Sequence, residues 1–224
     1  MIYQSPAEAV LIRRVNRFIA EVVLDGIAIR AHVPNTGRCA ELLLPGSRVI
    51  LDRAAAPVRK TEWDLVSVYK GPELFNIDSR TPNRIAAENM AALFPGMKRW
   101  RGEAVSGDSR LDFLLDCPDG ERYLETKGVT LEDGGIFYFP DAPTMRGIKH
   151  LKRLTVLAEA GVGTAVLFVA QAGCAEGFRP NIKNDPLFAE ALLEAAGAGV
   201  DIRCVSCLVT PGSVTLAREI PCLL

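Results

Sequence analysis

Histidine is scarce: His32 and His150 are the two in 224 residues. His32 falls at a strand end beside a turn, the place of a hydrogen-bonded structural histidine, and His150 has no serine or cysteine nucleophile motif to serve. That argues against a Ser-His-Asp or Cys-His hydrolase. Net charge is nearly absent as well. A formal charge of −1 excludes a molecule that holds polyanions by being basic throughout. No run approaches the about 18 uninterrupted apolar residues of a membrane helix, and the start Met1-Ile2-Tyr3-Gln4-Ser5-Pro6 lacks a charged region followed by an apolar one. The six cysteines (Cys39, Cys117, Cys174, Cys204, Cys207, Cys222) are scattered. Cys204 and Cys207 form a lone CxxC in a strand pattern, where they point to opposite faces, and no second pair has zinc-ligand spacing. We therefore expect core-packing cysteines in a cytoplasmic protein with reduced thiols. Internal repeats, low-complexity tracts and a helix-turn-helix recognition helix are missing too.

What is present is enough apolar sequence, 49%, for one large domain or two small ones, each with its own core. Charge is unevenly spread. Residues 1–60 hold nine bases (Arg13, Arg14, Arg17, Arg30, Arg38, Arg48, Arg53, Arg59, Lys60) against five acids, whereas Glu103 to Asp133 hold nine acids against three bases. A basic surface beside an acidic pocket suits metal-assisted chemistry on a polyanion, and it equally suits two domains that attract each other.

Taken in order, Leu11 to Val33 reads as strands, within which Phe18–Leu24 and Ile27–Val33 are joined by Asp25-Gly26, a strong hairpin signal. Pro34-Asn35-Thr36-Gly37 reads as a loop, Cys39–Leu44 as a short helical turn, and Arg48–Asp52 and Trp63–Tyr69 as further strands. Five short strands with one helical insert fit a small basic OB-like β-barrel over residues 1–76. From residue 77 the pattern changes. Thr81-Pro82 opens a helix that runs to Leu93, with Thr81 as N-cap, and Pro95-Gly96 closes it. Strands at Arg99–Val105, Leu111–Asp116 and Arg122–Leu131 precede a helix near Thr144–Ala160, a strand at Thr164–Ala170, a helix near Pro186–Ala198 and a strand at Asp201–Val209. The unbroken apolar run Ala165–Ala170 reads as a central strand covered on both faces. Residues 77–224 thus form a mixed-sheet α/β domain.

The chemistry concentrates on two of these strands. Residues two apart in a strand share a face, so Glu125 and Lys127 point the same way, and Asp112 joins them if the two strands pair. A carboxylate in a half-buried strand needs a cation, a donor or a metal. Two carboxylates with positions left for water suit Mg²⁺ or Mn²⁺, and the lysine can steer water or meet charge building on a phosphate. The plain alternative is a surface hairpin with a Glu125–Lys127 contact. Along the helix near 144–160, Ile148, Leu151, Thr155 and Ala158 form the packing face, while Arg146, Lys149, His150 and Arg153 form a basic stripe that is either solvated or in contact with phosphate.

These residues resemble a known core. Asp112 followed by Glu125-Thr126-Lys127, after a helix bearing Glu88, resembles the PD-(D/E)XK nuclease superfamily. Longer strings extend the resemblance to the sugar fermentation stimulation protein A family. They are Leu11-Ile12-Arg13-Arg14 with Arg17-Phe18, His32-Val33-Pro34-Asn35-Thr36-Gly37, Asn83-Arg84, Ser109-Arg110-Leu111-Asp112-Phe113, Glu125 to Leu131, Phe139-Pro140-Asp141-Ala142, Arg146-Gly147 and Lys149-His150-Leu151. Together they cover the chain from about Leu11 to Leu216. The resemblance implies an N-terminal OB-like domain before a PD-(D/E)XK nuclease-like domain, and a DNA-binding protein linked to sugar metabolism, maltose use in particular. It implies Asp112 and Glu125 as metal ligands and Lys127 as the catalytic lysine, with Glu88 or Glu103 as an additional acid. One departure stands out: relatives often carry glutamine where this chain has Ile148, which cannot make a polar contact with substrate.

Two functions follow. One is a DNA-binding protein with a Mg²⁺-dependent phosphodiesterase site, its phosphates held by Arg13, Arg14, Arg17 and Arg38 and by the stripe at Arg146, Lys149, His150 and Arg153. The other is a DNA-binding regulator of sugar genes without turnover. A small-molecule hydrolase or sugar-binding regulator rests on the metabolic association alone.

Overall fold

The computed structural model describes residues 1–54 and 61–224. Arg59 and Lys60, counted above among the bases of the first part, lie outside the described residues.

The chain begins as a barrel of five strands: β1 (Ala7–Asn16), β2 (Ile19–Leu24), β3 (Ile27–His32), β4 (Arg48–Arg53) and β5 (Trp63–Lys70). They run in the order β3-β2-β1-β4-β5, and β3 closes the ring by pairing in parallel with β5 at Ala31 and His32. A sixth strand, β6 (Glu73–Asn76), is added antiparallel to β5. The Asp25-Gly26 turn has φ of 50° and 79° at its two central residues, the backbone that lets a two-residue hairpin follow strand twist. Alternation does the rest: Ala9 and Leu11 of β1 and Ala20 and Val22 of β2 are buried while their neighbours face outward. Leu42 and Leu43 both donate backbone N–H groups to Cys39 O, a single helical turn in the expected place.

The second domain starts with α1 (Thr81–Glu88) and α2 (Met90–Leu93). One helix was expected from Thr81 to Leu93, and it breaks at Asn89, whose side-chain amide donates to Ile85 O. Thr81 does not cap it. Its hydroxyl is drawn 2.6 Å to Asn76 Oδ1 in a buried network, and Arg80 takes the cap position without a side-chain cap. Next come β7 (Arg99–Ser106), β8 (Ser109–Cys117) and β9 (Gly120–Val129), an antiparallel meander. The short β10 (Leu131–Asp133) and β11 (Ile136–Phe139) lead to α3 (Met145–Glu159), β12 (Gly163–Ala170), β13 (Gly177–Pro180), α4 (Pro186–Gly197), β14 (Asp201–Thr210) and β15 (Ser213–Ile220).

The main sheet has the order β15-β14-β12-β9-β8-β7. Each helical crossover brings the chain back in parallel, α3 from β9 to β12 and α4 from β12 to β14. β12 is buried from Thr164 through Ala170. Its Val166, Phe168 and Ala170 pack with Leu151 and Leu154 of α3 and Phe188 and Leu192 of α4. Its Ala165, Leu167 and Val169 pack with Ile85 and Met90 on the opposite face. Cys204 and Cys207 of β14 likewise divide between the two faces. A separate sheet, β10-β11-β13, lies beside the barrel, where Phe75 of β6 stacks on Phe137 of β11 with ring centroids 5.8 Å apart.

The seam between the domains is polar as well as apolar. Asn76, fully buried, donates from Nδ2 to Tyr3 Oη and Val66 O, and its Oδ1 accepts from Gln171 Nε2 at 2.8 Å. Gly128 lies against this network: a Cβ there would sit 2.3 Å from Gln171 Oε1 and 2.9 Å from Pro82 Cγ. A side chain at 128 would have to displace Gln171 or Pro82.

Candidate active site

β9 sorts its side chains between the two helical layers. Register places Glu125 beside Val166 and Thr126 beside Leu167, so Glu125 and Lys127 face α3 while Thr126 faces α1. On the α3 side Glu125 is 3% exposed. Its Oε1 accepts from both Lys127 Nζ and His150 Nδ1. Its Oε2 is buried and has no hydrogen-bond partner. Burial pushes the carboxyl upward, but the His150 hydrogen bond and the charge and hydrogen bond of Lys127 outweigh it, leaving Glu125 below the usual carboxylate range and ionised at neutral pH. An ionised carboxylate accepts only, so Nδ1 of His150 carries the proton in this contact. A buried carboxylate oxygen left unpaired costs about 1–3 kcal/mol or more.

Asp112 enters where the strands part. The β8–β9 ladder runs from Cys117–Gly120 to Phe113–Leu124 and stops. One residue further, Asp112 Oδ2 replaces the backbone partner and accepts from Thr126 N and Thr126 Oγ1, both at 2.8 Å. Thr126 Oγ1 also lies 2.8 Å from Asn83 Oδ1 of α1. The threonine at the variable position of Glu-x-Lys therefore holds the first acid in place. Asp112 lines an open cleft of about 290 Å³ whose rim carries Arg84 of α1, Arg110 of β8 and Arg146 of α3. A larger concavity of about 610 Å³ lies at the sheet edge around Arg99, Trp100 and Glu121. It includes none of Asp112, Glu125 and Lys127, whereas the smaller cleft includes Asp112 but not Glu125 or Lys127.

The remaining expected residues are placed as follows. Glu88 turns to the chain start, its Oε2 2.5 Å from the Met1 amine. Glu103 is exposed on β7 and lies 3.6 Å from Arg110 at the cleft rim. His150 does not belong to an outward basic stripe: it is 5% exposed and points inward to Glu125, because it shares the helix face of Gly147, Leu151 and Leu154. Arg146 and Lys149 are exposed, with Lys149 paired 3.1 Å from Asp108, and Arg153 Nε donates to Ser106 Oγ at 2.9 Å. Arg14 is a clamp. Its guanidinium donates to the main-chain oxygens of Arg17, Asn35, Gly37 and Arg38 and fixes the 35–38 loop. Arg13 pairs with Glu21 at 2.8 Å, while Arg17 and Arg38 are exposed. Asn83, Arg84, Arg110, Thr126 and the inward role of His150 were not singled out from the sequence, although each lies in a motif string quoted above. Among the described residues, no group of three or more His, Cys, Asp or Glu side chains is arranged to hold a metal ion. Asp112 opens into the cleft, whereas Glu125 and Lys127 are not among its lining residues; Glu125 contributes a buried oxygen without a partner, the kind of donor taken by a hard cation that keeps several waters.

The geometry can be set beside known proteins. A model of the sugar fermentation stimulation protein RE domain matches residues 80–213, and one of the SfsA N-terminal OB domain matches residues 12–77. The chain belongs to the sugar fermentation stimulation protein family. Curated homologues include one from Clostridium tetani, 44% identical over 229 residues and covering 100% of both chains. Another, from Desulfitobacterium hafniense, is 42% identical over 215 residues and covers 96% of this chain and 94% of the relative. Among solved structures, that of Pyrococcus furiosus SfsA in complex with Ca²⁺ superposes with a TM-score of 0.91 at 30% identity, covering 100% of this chain and 98% of the other. The family architecture, an OB barrel followed by the mixed-sheet α/β domain that its RE-domain model matches, is thus the architecture of this chain.

Proposed function

We propose that this family member is a DNA-binding phosphodiesterase that works with a divalent cation, Mg²⁺ or Mn²⁺, in the cytoplasm. The observation that carries the reading is the buried, ionised Glu125, whose Oε2 has no donor although Oε1 has two. Glu125 and Asp112 would hold the cation. The Pyrococcus furiosus relative, solved with Ca²⁺, supports a hard-cation site in this architecture. A bound cation of this kind polarises a phosphate oxygen and makes water more acidic. Lys127, anchored on Glu125 Oε1, puts positive charge where a phosphodiester gains negative charge in the transition state. Arg84, Arg110 and Arg146 hold backbone phosphates along the cleft. Thr126 keeps Asp112 aimed by two hydrogen bonds.

One observation favours a binding protein without turnover: Asp112 Oδ2 is already engaged by Thr126, and among the described residues no group of three or more His, Cys, Asp or Glu side chains is arranged to hold a metal ion. Cleavage of labelled single- and double-stranded DNA separates the two readings, run with Mg²⁺, Mn²⁺ or chelator and with Glu125→Gln and Lys127→Ala proteins in parallel. Cation-dependent cutting lost in both variants establishes the phosphodiesterase. Binding without cutting under every condition establishes the DNA-binding regulator.

A further inference from the structure

Glu125 carries two donors on one oxygen and none on the other, an asymmetry that a lysine alone does not produce. A lone Lys127 two residues along the same strand face is flexible and can sit on either oxygen. His150 differs in kind. It reaches Glu125 from α3, is 5% exposed, and its ring is stiff. The helix that presents it is tethered on both sides of position 150: Lys149 Nζ lies 3.0 Å from Asp108 O, and Arg153 Nε donates to Ser106 Oγ at 2.9 Å. Both tethers end at the β7–β8 turn. The imidazole is therefore held against β9 by the fold itself.

We propose that His150 is a positioning residue for Glu125. Its Nδ1–H, together with Lys127 Nζ, occupies Oε1 and so commits Oε2 to the cation, making Glu125 a one-oxygen ligand. The role rests on the reading of Glu125 as a cation ligand and goes beyond it by saying which oxygen binds and what selects it. Nδ1 and Nζ, 3.5 Å apart, are two donors sharing one acceptor. The arrangement leaves neither free to turn onto Oε2 without giving up Oε1. Partners that orient a ligand in this way are commonly worth ten- to a hundred-fold in metal affinity, on the order of what is expected here.

The test is titration of the full chain with Mn²⁺ alone at fixed pH, followed by electron paramagnetic resonance, for the wild type and for Glu125→Gln, His150→Leu and His150→Asn. Glu125→Gln should abolish the site. His150→Leu should weaken it by about ten-fold or more. His150→Asn, whose amide N–H falls near the position of Nδ1, should recover most of that loss, while thermal melting moves similarly in both His150 variants. Unchanged affinity in His150→Leu, or equal losses in the Leu and Asn variants, overturns the positioning role and leaves the cation site standing. A wild type that shows no Glu125-dependent Mn²⁺ site overturns both.

Because a leucine at a buried polar position can prevent folding, a second measurement uses the unaltered side chain. The chain has two histidines, so ¹⁵N spectra of the imidazoles, assigned with a His32→Gln variant, report His150 directly. The His150 Nδ1–H signal should persist when Mg²⁺ is saturating. Its loss would show that the imidazole leaves Oε1 when the cation binds, and the proposal would fail.

Discussion

Two buried ionic clusters among the described residues are built on opposite plans. At the domain seam, Asp78 is fully enclosed and both its oxygens are taken by Arg80, at 2.7 to 3.0 Å. Arg80 reaches on to Asp64 Oδ2 at 3.3 Å, and His32 Nδ1 lies 2.9 Å from Asp64 Oδ1. Every carboxylate oxygen there has a partner. In the second domain, Glu125 gives one oxygen two donors and leaves the other with none. A closed fork of this kind is what structure asks of buried charge, and an open oxygen is what a ligand asks of it. Burial and charge alone would have ranked the two clusters together. The count of partners on each oxygen separates them.

The contrast can be broken most sharply at the seam. Asp78→Ala leaves Arg80 without its fork and should cost about 2–3 kcal/mol in urea unfolding, below the about 3–5 kcal/mol of a fully enclosed pair because the half-exposed guanidinium rehydrates. Cation affinity at Glu125 should be unaffected. Gly128→Ala sits between the clusters, forcing a Cβ onto Gln171 Oε1 and Pro82. It should destabilise by about 1–3 kcal/mol and lower the melting temperature, and a neutral result would mean that the seam yields more readily than its packing implies. Glu125→Gln should do the reverse of Asp78→Ala. It should end the proposed cation binding while changing stability by less than about 1 kcal/mol, since it removes a charge that the fold leaves half unpaired.

Smaller effects test the rims. Glu132, which bridges to Lys70 of the barrel, is pushed up by burial but held below the usual carboxylate range by the Lys70 and Gly135 hydrogen bonds. A lowered folded pKa means that its contribution is present above the unfolded value of about 4.3 and is lost as pH falls through the folded one. Glu132→Gln should flatten the acid limb of the stability profile by less than about 1 kcal/mol. Arg146→Ala should leave stability unchanged. It should weaken duplex DNA binding on every sequence and reduce the log–log salt slope by about 0.9, the share of one phosphate.

The strand period carried the central pair: Glu125 and Lys127 share a face because they are two residues apart, and the Ala165–Ala170 run gave the covered strand without any motif. Local spacing could not supply the partners from other elements. His150 lies 25 residues from Glu125, and a histidine among Arg146, Lys149 and Arg153 reads as part of their stripe until the helix is placed on the sheet. β11 and β13 were missed for a related reason. Each has four residues, and they pair with each other in parallel across an intervening helix and strand. Thr81 has the sequence of an N-cap but is claimed by Asn76 from before the helix, a tertiary demand that no local pattern records.

The apolar core that contains Leu11, Val22 and Leu65 of the barrel is one continuous cluster with Phe137, Leu151 and Phe168 of the second domain. The barrel and the second domain therefore share buried apolar surface that neither could expose alone without cost. A lesion deep in the barrel should reach β8 and β9 by melting the whole chain in one calorimetric transition, even where it touches nothing near them.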